Sequence, residues 1–175
     1  MRPVKYSVAT SLDGFIAGPN GEIDWIRPDP ALDFATIYAQ FDTALLGRRT
    51  YELTQRPGAP PWPAGWNVYV ISTTIHASAD PAVHVINTDV AGTVARLRRQ
   101  PGKAIWLFGG GVLFASLLAA GQVDELELAV MPVLLGRGVP LLHPGGPPVN
   151  LSLLTVRESS NGIMRLSYRV NDAAS

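Results

Sequence analysis

Apolar and polar positions alternate from Val4 to Ala9 among β-forming residues, which predicts a first strand. Ser11 to Asp29 breaks the pattern. It holds Gly14, Gly18, Pro19, Gly21 and Pro28 and reads as a long irregular loop, a kind that in compact domains is usually functional or mobile. Leu32, Ala35, Ile37, Tyr38 and Phe41 then recur near helical spacing and predict a helix over Ala31 to Phe41. Pro30 lies just ahead of it, where a helix tolerates proline. Thr43 to Gly47 reads as a short apolar strand and Arg48 to Leu53 as the first turns of another helix. Pro57, Pro60, Pro61 and Pro63 make Arg56 to Gly65 a surface loop rather than a helix or a domain linker.

The second half continues in the same manner. Asn67 to Ser72 and Ala82 to Ile86 read as strands, and Asp89 as the N-cap of a helix over Val90 to Arg99. Lys103 to Phe108 reads as a strand and Val112 to Ala120 as a helix, followed by a β-like stretch from Val123 to Leu135 interrupted at Pro132. Leu151 to Glu158 and Ile163 to Val170 alternate well, and Ser159-Ser160-Asn161-Gly162 between them is a hairpin signal. No internal repeat is evident. Strands alternate with helices early and pair as a hairpin late, so the expected fold is α/β with a mixed sheet and an antiparallel C-terminal edge.

Composition narrows the function classes. A chain of 175 residues is most simply one domain, 1–175, and 47% apolar with 16% charged residues suits a packed core. The formal net charge of zero points away from nucleic acid and anionic membranes as partners. There is no cysteine, and His76, His84 and His143 lack ligand spacing, so no metal site is expected. The N-terminus has no signal-peptide pattern, and no segment reaches the roughly 20 apolar residues of a membrane helix, so a cytoplasmic protein is the default expectation.

The richest chemical signal is Ile105-Trp106-Leu107-Phe108-Gly109-Gly110-Gly111-Val112-Leu113-Phe114. An apolar strand ends in three glycines and a helix opens at once. Free amides and a positive dipole end there suit a phosphate or pyrophosphate, while a glycine turn needed only for packing is the plainer alternative. The run is neither G-x-G-x-x-G nor a P-loop.

Several segments taken in order carry a resemblance. Ser11-Leu12-Asp13-Gly14-Phe15-Ile16-Ala17 follows the first strand, and Leu46-Gly47-Arg48-Arg49-Thr50-Tyr51-Glu52 opens the second helix. Val70-Ile71-Ser72-Thr73-Thr74 ends a strand, and the glycine run precedes the next helix. Val123-Asp124-Glu125-Leu126 is followed by Pro132-Val133-Leu134-Leu135-Gly136-Arg137-Gly138. From about Pro3 to Val170 the chain resembles the dihydrofolate reductase-like superfamily. Within it the chain is most similar to the C-terminal reductase domain of the bifunctional riboflavin-biosynthesis deaminase/reductase. The zinc-binding deaminase half of that enzyme is absent from this sequence.

The resemblance implies a three-layer α/β/α domain, a nicotinamide cofactor, usually NADPH, and often a homodimer. Hydride would pass to a small pterin-, pyrimidine- or flavin-like substrate. A nucleotide-binding or regulatory protein without turnover is the alternative on the same fold. The resemblance carries cofactor-phosphate contacts onto Gly47, Arg48, Arg49 and Thr50, and pyrophosphate binding onto Gly109, Gly110 and Gly111. Phe108, Val112 and Leu113 would line the cofactor cleft, and Ala9, Ile16 and Ala17 would frame the nicotinamide. Ser72 and Thr73 would meet the adenosine 2′-phosphate, with hydroxyl capping of the strand end as their plainer role. On the substrate side, Asp33 is the candidate acid, or simply an acidic residue of the first helical turn. Trp25 would cover the substrate or anchor its loop, and Arg137 would orient its own loop or bind an anionic group. Trp62 and Trp66 would border that cleft or a dimer contact. Asp13 reads as an Asx-type turn residue with Gly14 at positive φ.

Overall fold

The structure is a computed structural model that describes residues 1–29 and 32–171. Pro30 and Ala31, at the expected start of the first helix, lie outside the described residues. The elements run β1 (Val4–Ser11), β2 (Phe15–Ala17), α1 (Phe34–Tyr38), β3 (Phe41–Gly47), α2 (Arg48–Thr54), β4 (Asn67–Ile71) and β5 (Val83–Ile86). They continue α3 (Val90–Arg99), β6 (Ala104–Gly109), α4 (Gly111–Ala119), β7 (Glu125–Met131), β8 (Val139–Pro140), β9 (Leu151–Glu158) and β10 (Met164–Val170).

Eight strands form one sheet in the order β5-β4-β3-β6-β1-β7-β10-β9. Strands β5 to β7 in that order pair in parallel, and β10 and β9 close the sheet antiparallel. Parallel neighbours need crossovers, and the helices that supply them cover both faces of the sheet. On one face Tyr6, Leu45, Ile105 and Leu107 pack with Val94 and Leu97 of α3 and Leu113, Phe114 and Leu117 of α4. On the other, Phe41, Ala44, Leu46, Val68 and Trp106 pack with Ile37 and Tyr38 of α1 and Tyr51 of α2. Leu45 thus faces one core while Ala44 and Leu46 face the other. That double burial makes Thr43 to Gly47 read as a continuous apolar run.

The edge of the sheet is different. Every residue of β9 is exposed, with Leu153 at 56% and Val156 at 52%. The register aligns Val8, Leu128, Leu166 and Val156 in one row and Tyr6, Leu126, Tyr168 and Leu153 in another. Both rows begin in or against the core beneath α3 and α4 and run out to solvent at β9.

Ion pairs fasten the N-terminal ends of the strands. Arg2 pairs with Asp42 and donates to Thr43 Oγ1 (2.7 Å) and the Lys103 carbonyl (2.6 Å). Arg98 donates to Asp124 Oδ1 (2.6 Å), whose Oδ2 accepts from the Val4 amide (2.7 Å). The opposite ends of the parallel strands are left for binding, the usual site in open α/β sheets.

Three expectations change. The helix expected over Ala31 to Phe41 is only Phe34–Tyr38. Phe41 instead opens β3 and stacks on Trp106 (centroids 5.2 Å apart), so the helical spacing mixed a short surface helix with a strand start. Strands β2 and β8, unpredicted, pair through Phe15 with Pro140 and Ala17 with Val139. Segments of two or three residues carry no legible period; their pairing depends on tertiary closure. Glycine at 138 permits it, because a Cβ there would overlap the Ala17 carbonyl oxygen.

Candidate functional site

Gly47 ends β3 and is the N-cap of α2; Gly109 ends β6, and Gly110 is the N-cap of α4. Neither cap residue offers a side chain to its helix. The first bond of α4 runs from the Phe114 amide to the Gly110 carbonyl (3.0 Å), so the amides of Gly111, Val112 and Leu113 have no intrahelical partner. The Gly109–Gly110 peptide is cis.

Glycine is a common helix N-cap, but neither φ and ψ nor the space around the Cβ position requires it at 47 or 110. Gly47 has φ −76° and ψ 158°, and Gly110 has φ −105° and ψ −174°, backbone that any residue adopts. A Cβ on Gly47 would meet only Gly109 O and Gly110 N, both at 3.9 Å. One on Gly110 would touch only Thr50 Oγ1, at 3.4 Å. Two bare backbones therefore form a floor between two helix starts, and side chains there would fill it. This surface fits the pyrophosphate of a dinucleotide, which needs close backbone approach and free amides. Gly111 is different: a Cβ there would lie 2.8 Å from the Pro140 carbonyl oxygen, so packing against β8 already requires glycine.

Beside this floor lies an open cleft of about 350 Å³ lined by Arg48, Ser72, Thr73, Thr74, Asn87 and Val90, among others. It brings together Arg48, Ser72 and Thr73, as expected, and adds Thr74 and Asn87. Ser72 has the plainer of the two roles read for it. It is buried, and its hydroxyl accepts the amides of Thr74 (3.1 Å) and Ile75 (2.8 Å), so it caps the strand end. Asn87 Nδ2 donates to the carbonyls of Ser72 (2.9 Å) and Ile75 (3.0 Å) and holds the same turn. The signal for Asn87 was a lone amide side chain just past a strand end. Arg48 donates to Glu52 Oε1 (2.7 Å), one turn along α2. Arg49 is exposed and makes no ion pair among the described residues.

One other cofactor assignment is revised. Leu113 is 6% exposed within the core beneath α4, so its side chain does not line the cleft. Val112 is 71% exposed. Phe108 is half-buried, edge-on to Trp62 (5.2 Å, 78°) and Trp106 (5.0 Å, 72°). Trp62 also stacks on Trp66 (5.9 Å, 26°), so both tryptophans belong to the aromatic core on this face.

The first loop is held by specific bonds. Ala9 sits near the end of β1 beside Ala129, and Ile16 and Ala17 lie on β2. Gly14 takes φ +84° as expected, but Asp13 does more than a local turn. Its carboxylate accepts from Ser11 Oγ (2.6 Å) and, across the chain, from the amides of Leu135 (3.1 Å) and Gly136 (2.7 Å). These bonds, that from Ser11 foremost, hold its pKa down to about 2. Arg137, in the loop that Asp13 fastens, is exposed and lies near Glu22. Trp25 donates its indole N–H to the Glu22 carbonyl (3.1 Å), which anchors it within its own loop.

Asp33 is the N-cap of α1. It accepts from the Ala35 amide (3.0 Å) and from Thr36 Oγ1. The residue is exposed, and the hydrogen bond from the Thr36 side chain leads in holding its pKa below the usual carboxylate range. A group buried in an apolar pocket would shift the other way. Asp33 thus caps α1 from just outside it, rather than standing in its first turn. Among the described residues no group of acidic or histidine side chains could hold a metal ion, and no helix is long and apolar enough to cross a membrane.

Comparison with known proteins agrees with this geometry. The family model for the RibD C-terminal domain matches residues 2–165. An uncharacterized Bacillus subtilis protein, YyaP, is 34% identical over 181 residues, spanning 97% of this chain and 96% of its own. Among solved structures, a putative riboflavin biosynthesis protein from Shewanella sp. PV-4 superposes with a TM-score of 0.84 at 24% identity, covering 98% of this chain and 99% of that one. Dihydrofolate reductase from Enterococcus faecalis, solved with NADP(H) and RAB-propyl, superposes with a TM-score of 0.67 at 19% identity, covering 97% of each chain. A bare glycine floor at the strand ends of a dihydrofolate reductase-like sheet, and a family match over nearly the whole chain, lead to one statement of kinship: the chain belongs to the RibD C-terminal domain family, a reductase family.

Proposed function

We propose that this protein is an NADPH-dependent reductase that delivers hydride to a small heteroaromatic acceptor of pterin, pyrimidine or flavin type. The observation that carries the reading is the Gly47–Gly110 floor, where φ, ψ and packing would admit a Cβ and none is present. The NADP(H) in the Enterococcus dihydrofolate reductase supports the choice of cofactor.

In this reading the amides at the head of α4, with Gly47, Thr50, Gly109 and Gly110, bind the pyrophosphate. Arg48 and Arg49, with Thr73 and Thr74, meet the adenosine 2′-phosphate; guanidinium forks suit that dianion. Ala9, Ile16 and Ala17 present small aliphatic surface to a flat nicotinamide, and Trp25, Phe108 and Arg137 border the acceptor. Bound NADPH would supply the hydride. The chain's own part is to hold the two rings in line and exclude water between them. The same reading has the enzyme working in the cytoplasm.

The reading includes a homodimer through β9. A two-fold between Leu154 and Thr155 would set Leu153 opposite Val156 of a second copy. Because of the irregularity beside Tyr168, both residues lie on the apolar face. Such pairing would cover an edge strand that is otherwise open along its length.

One observation favours binding without turnover. The carboxylate suggested as acid is an exposed helix cap. Titration with NADPH and NADH, followed by quenching of tryptophan fluorescence, tests the cofactor. NADPH-selective binding is expected, and a folded protein that binds neither dinucleotide would refute the proposal. Oxidation of bound NADPH on adding dihydropterin, pyrimidine or flavin acceptors separates a reductase from a binding protein.

A further inference from the structure

The Ser-Leu-Asp-Gly turn carries a carboxylate with no part in the reading above. Asp13 reaches over 120 residues along the chain to bind the amides of Leu135 and Gly136, while Ser11, 1% exposed, donates its hydroxyl to the same carboxylate. Ser11 Oγ in turn accepts the Phe15 amide (2.9 Å). Two backbone bonds flank this tie: the Leu12 amide to the Val133 carbonyl (2.9 Å) and the Leu141 amide to the Gly14 carbonyl (2.8 Å). The β1–β2 turn and the β7–β8 loop are therefore one unit, and Asp13 is its side-chain rivet.

That unit abuts the glycine floor. Past Leu135 and Gly136 the chain passes Gly138, packed on the Ala17 carbonyl, and reaches Pro140, whose carbonyl oxygen leaves no room for a Cβ on Gly111. The separation between the Ile16–Ala17 wall and the head of α4 thus depends on where Asp13 holds the second loop. A carboxylate is the only side chain of this length that can accept two amides and a hydroxyl at once. An asparagine would turn an NH₂ group toward donors.

We propose that Asp13 is a positioning residue for the nicotinamide end of the cleft, setting the spacing between the β2 wall and the α4 head without touching cofactor or acceptor itself. The adenosine end, built from α2 and the β4 strand end, does not share this tie. This inference rests on the NADP(H) reading and predicts a split between the two ends of the ligand.

The test compares NADPH with adenosine 2′,5′-bisphosphate, which has the adenosine and 2′-phosphate but no nicotinamide. Both are titrated into the wild-type protein, Asp13→Asn and Ser11→Ala, each checked for fold by circular dichroism. Displacing a wall by tenths of an ångström should weaken NADPH about tenfold in Asp13→Asn and less in Ser11→Ala. Adenosine 2′,5′-bisphosphate should bind all three alike. Ser11→Ala, which keeps the carboxylate, carries the comparison if Asp13→Asn does not fold. Unchanged NADPH affinity in folded variants, or equal weakening of both ligands, would overturn the positioning role while leaving the cofactor reading intact. A wild-type protein that binds neither ligand would overturn both.

Discussion

The Cβ position of Gly47 lies 3.9 Å from the amide nitrogen of Gly110, and nothing else approaches it but the Gly109 carbonyl oxygen at the same distance. Two strands and two helix starts thus meet with backbone alone beside Gly47 and only the Thr50 side chain beside Gly110.

Gly47→Ala is therefore expected to fold normally. Its φ suits alanine and its Cβ makes only ordinary contacts; the smaller entropy of the unfolded chain and the loss of a favoured N-cap residue oppose each other, so stability should move by no more than about 1 kcal/mol. The added methyl would stand where the pyrophosphate is proposed to lie. NADPH affinity should fall by at least about tenfold, the effect of a slight misplacement or lost close contact at a preorganised site. Parallel thermal melts and NADPH titrations check it; unchanged affinity in a folded variant would remove the glycine floor from the cofactor site.

Arg48→Ala combined with Arg49→Ala should weaken NADPH much more than NADH. The Arg48–Glu52 pair is exposed, one helical turn apart, and worth only about 0.3–0.5 kcal/mol, so fold stability should barely change. A guanidinium on a phosphate dianion is worth more than that pair. Equal loss for both dinucleotides would detach the arginines from the 2′-phosphate.

What the sequence made legible follows from how local each feature is. Helix α3 and strand β9 stand where they were expected, at Val90–Arg99 and Leu151–Glu158, because a cap residue marks the one and a β-rich run ending at a hairpin signal marks the other within its own length. Phe41, an aromatic four residues past Ile37, fits a helix as well as a strand start; only Trp66 and Trp106 across the sheet decide it. The glycine run announced the site. Yet which glycines serve packing and which leave space became visible only against neighbours such as Pro140 and Thr50. Asp13 could be read as a turn residue, but partners 122 and 123 positions away leave no local trace.

Asp33→Asn should leave both fold and turnover in place. Asparagine serves as an N-cap about as well as aspartate. The folded pKa of Asp33 is depressed, so the carboxylate stays ionised at neutral pH and has no proton to give. Its contribution to stability is present above the unfolded pKa and is lost as pH falls through the lower folded value. Steady-state rates from pH 5 to 9, once an acceptor is found, check this. A large drop in kcat with KM unchanged, together with loss of a pH-dependent limb, would make Asp33 the acid after all.

Tyr6→Phe removes a buried hydroxyl that has no hydrogen-bond partner among the described residues. Tyr6 is fully buried and stacks on Phe114 at 4.1 Å, an arrangement phenylalanine preserves. Burial also pushes the phenol pKa far up, so the group stays neutral at any working pH. An unsatisfied buried donor costs about 1–3 kcal/mol, and the variant should unfold at equal or higher denaturant concentration. A clear loss of stability would mean that the hydroxyl is bonded, for instance to an internal water.

Leu153→Glu tests the open edge. Leu153 and Val156 end two rows of apolar side chains that start at β1, and α3 and α4 do not reach that far. In an isolated chain a glutamate at a position 56% exposed would change stability little, since surface substitutions usually stay within about 0.5 kcal/mol. In a dimer paired through β9 it would place two carboxylates in an apolar seam near the two-fold, where burying unpaired charge is costly. The wild-type mass measured by light scattering should be twice the chain mass of 18.7 kDa, and that of the variant should fall to it. A wild-type protein already at the monomer mass, or a variant that stays dimeric, would move the subunit contact away from this edge.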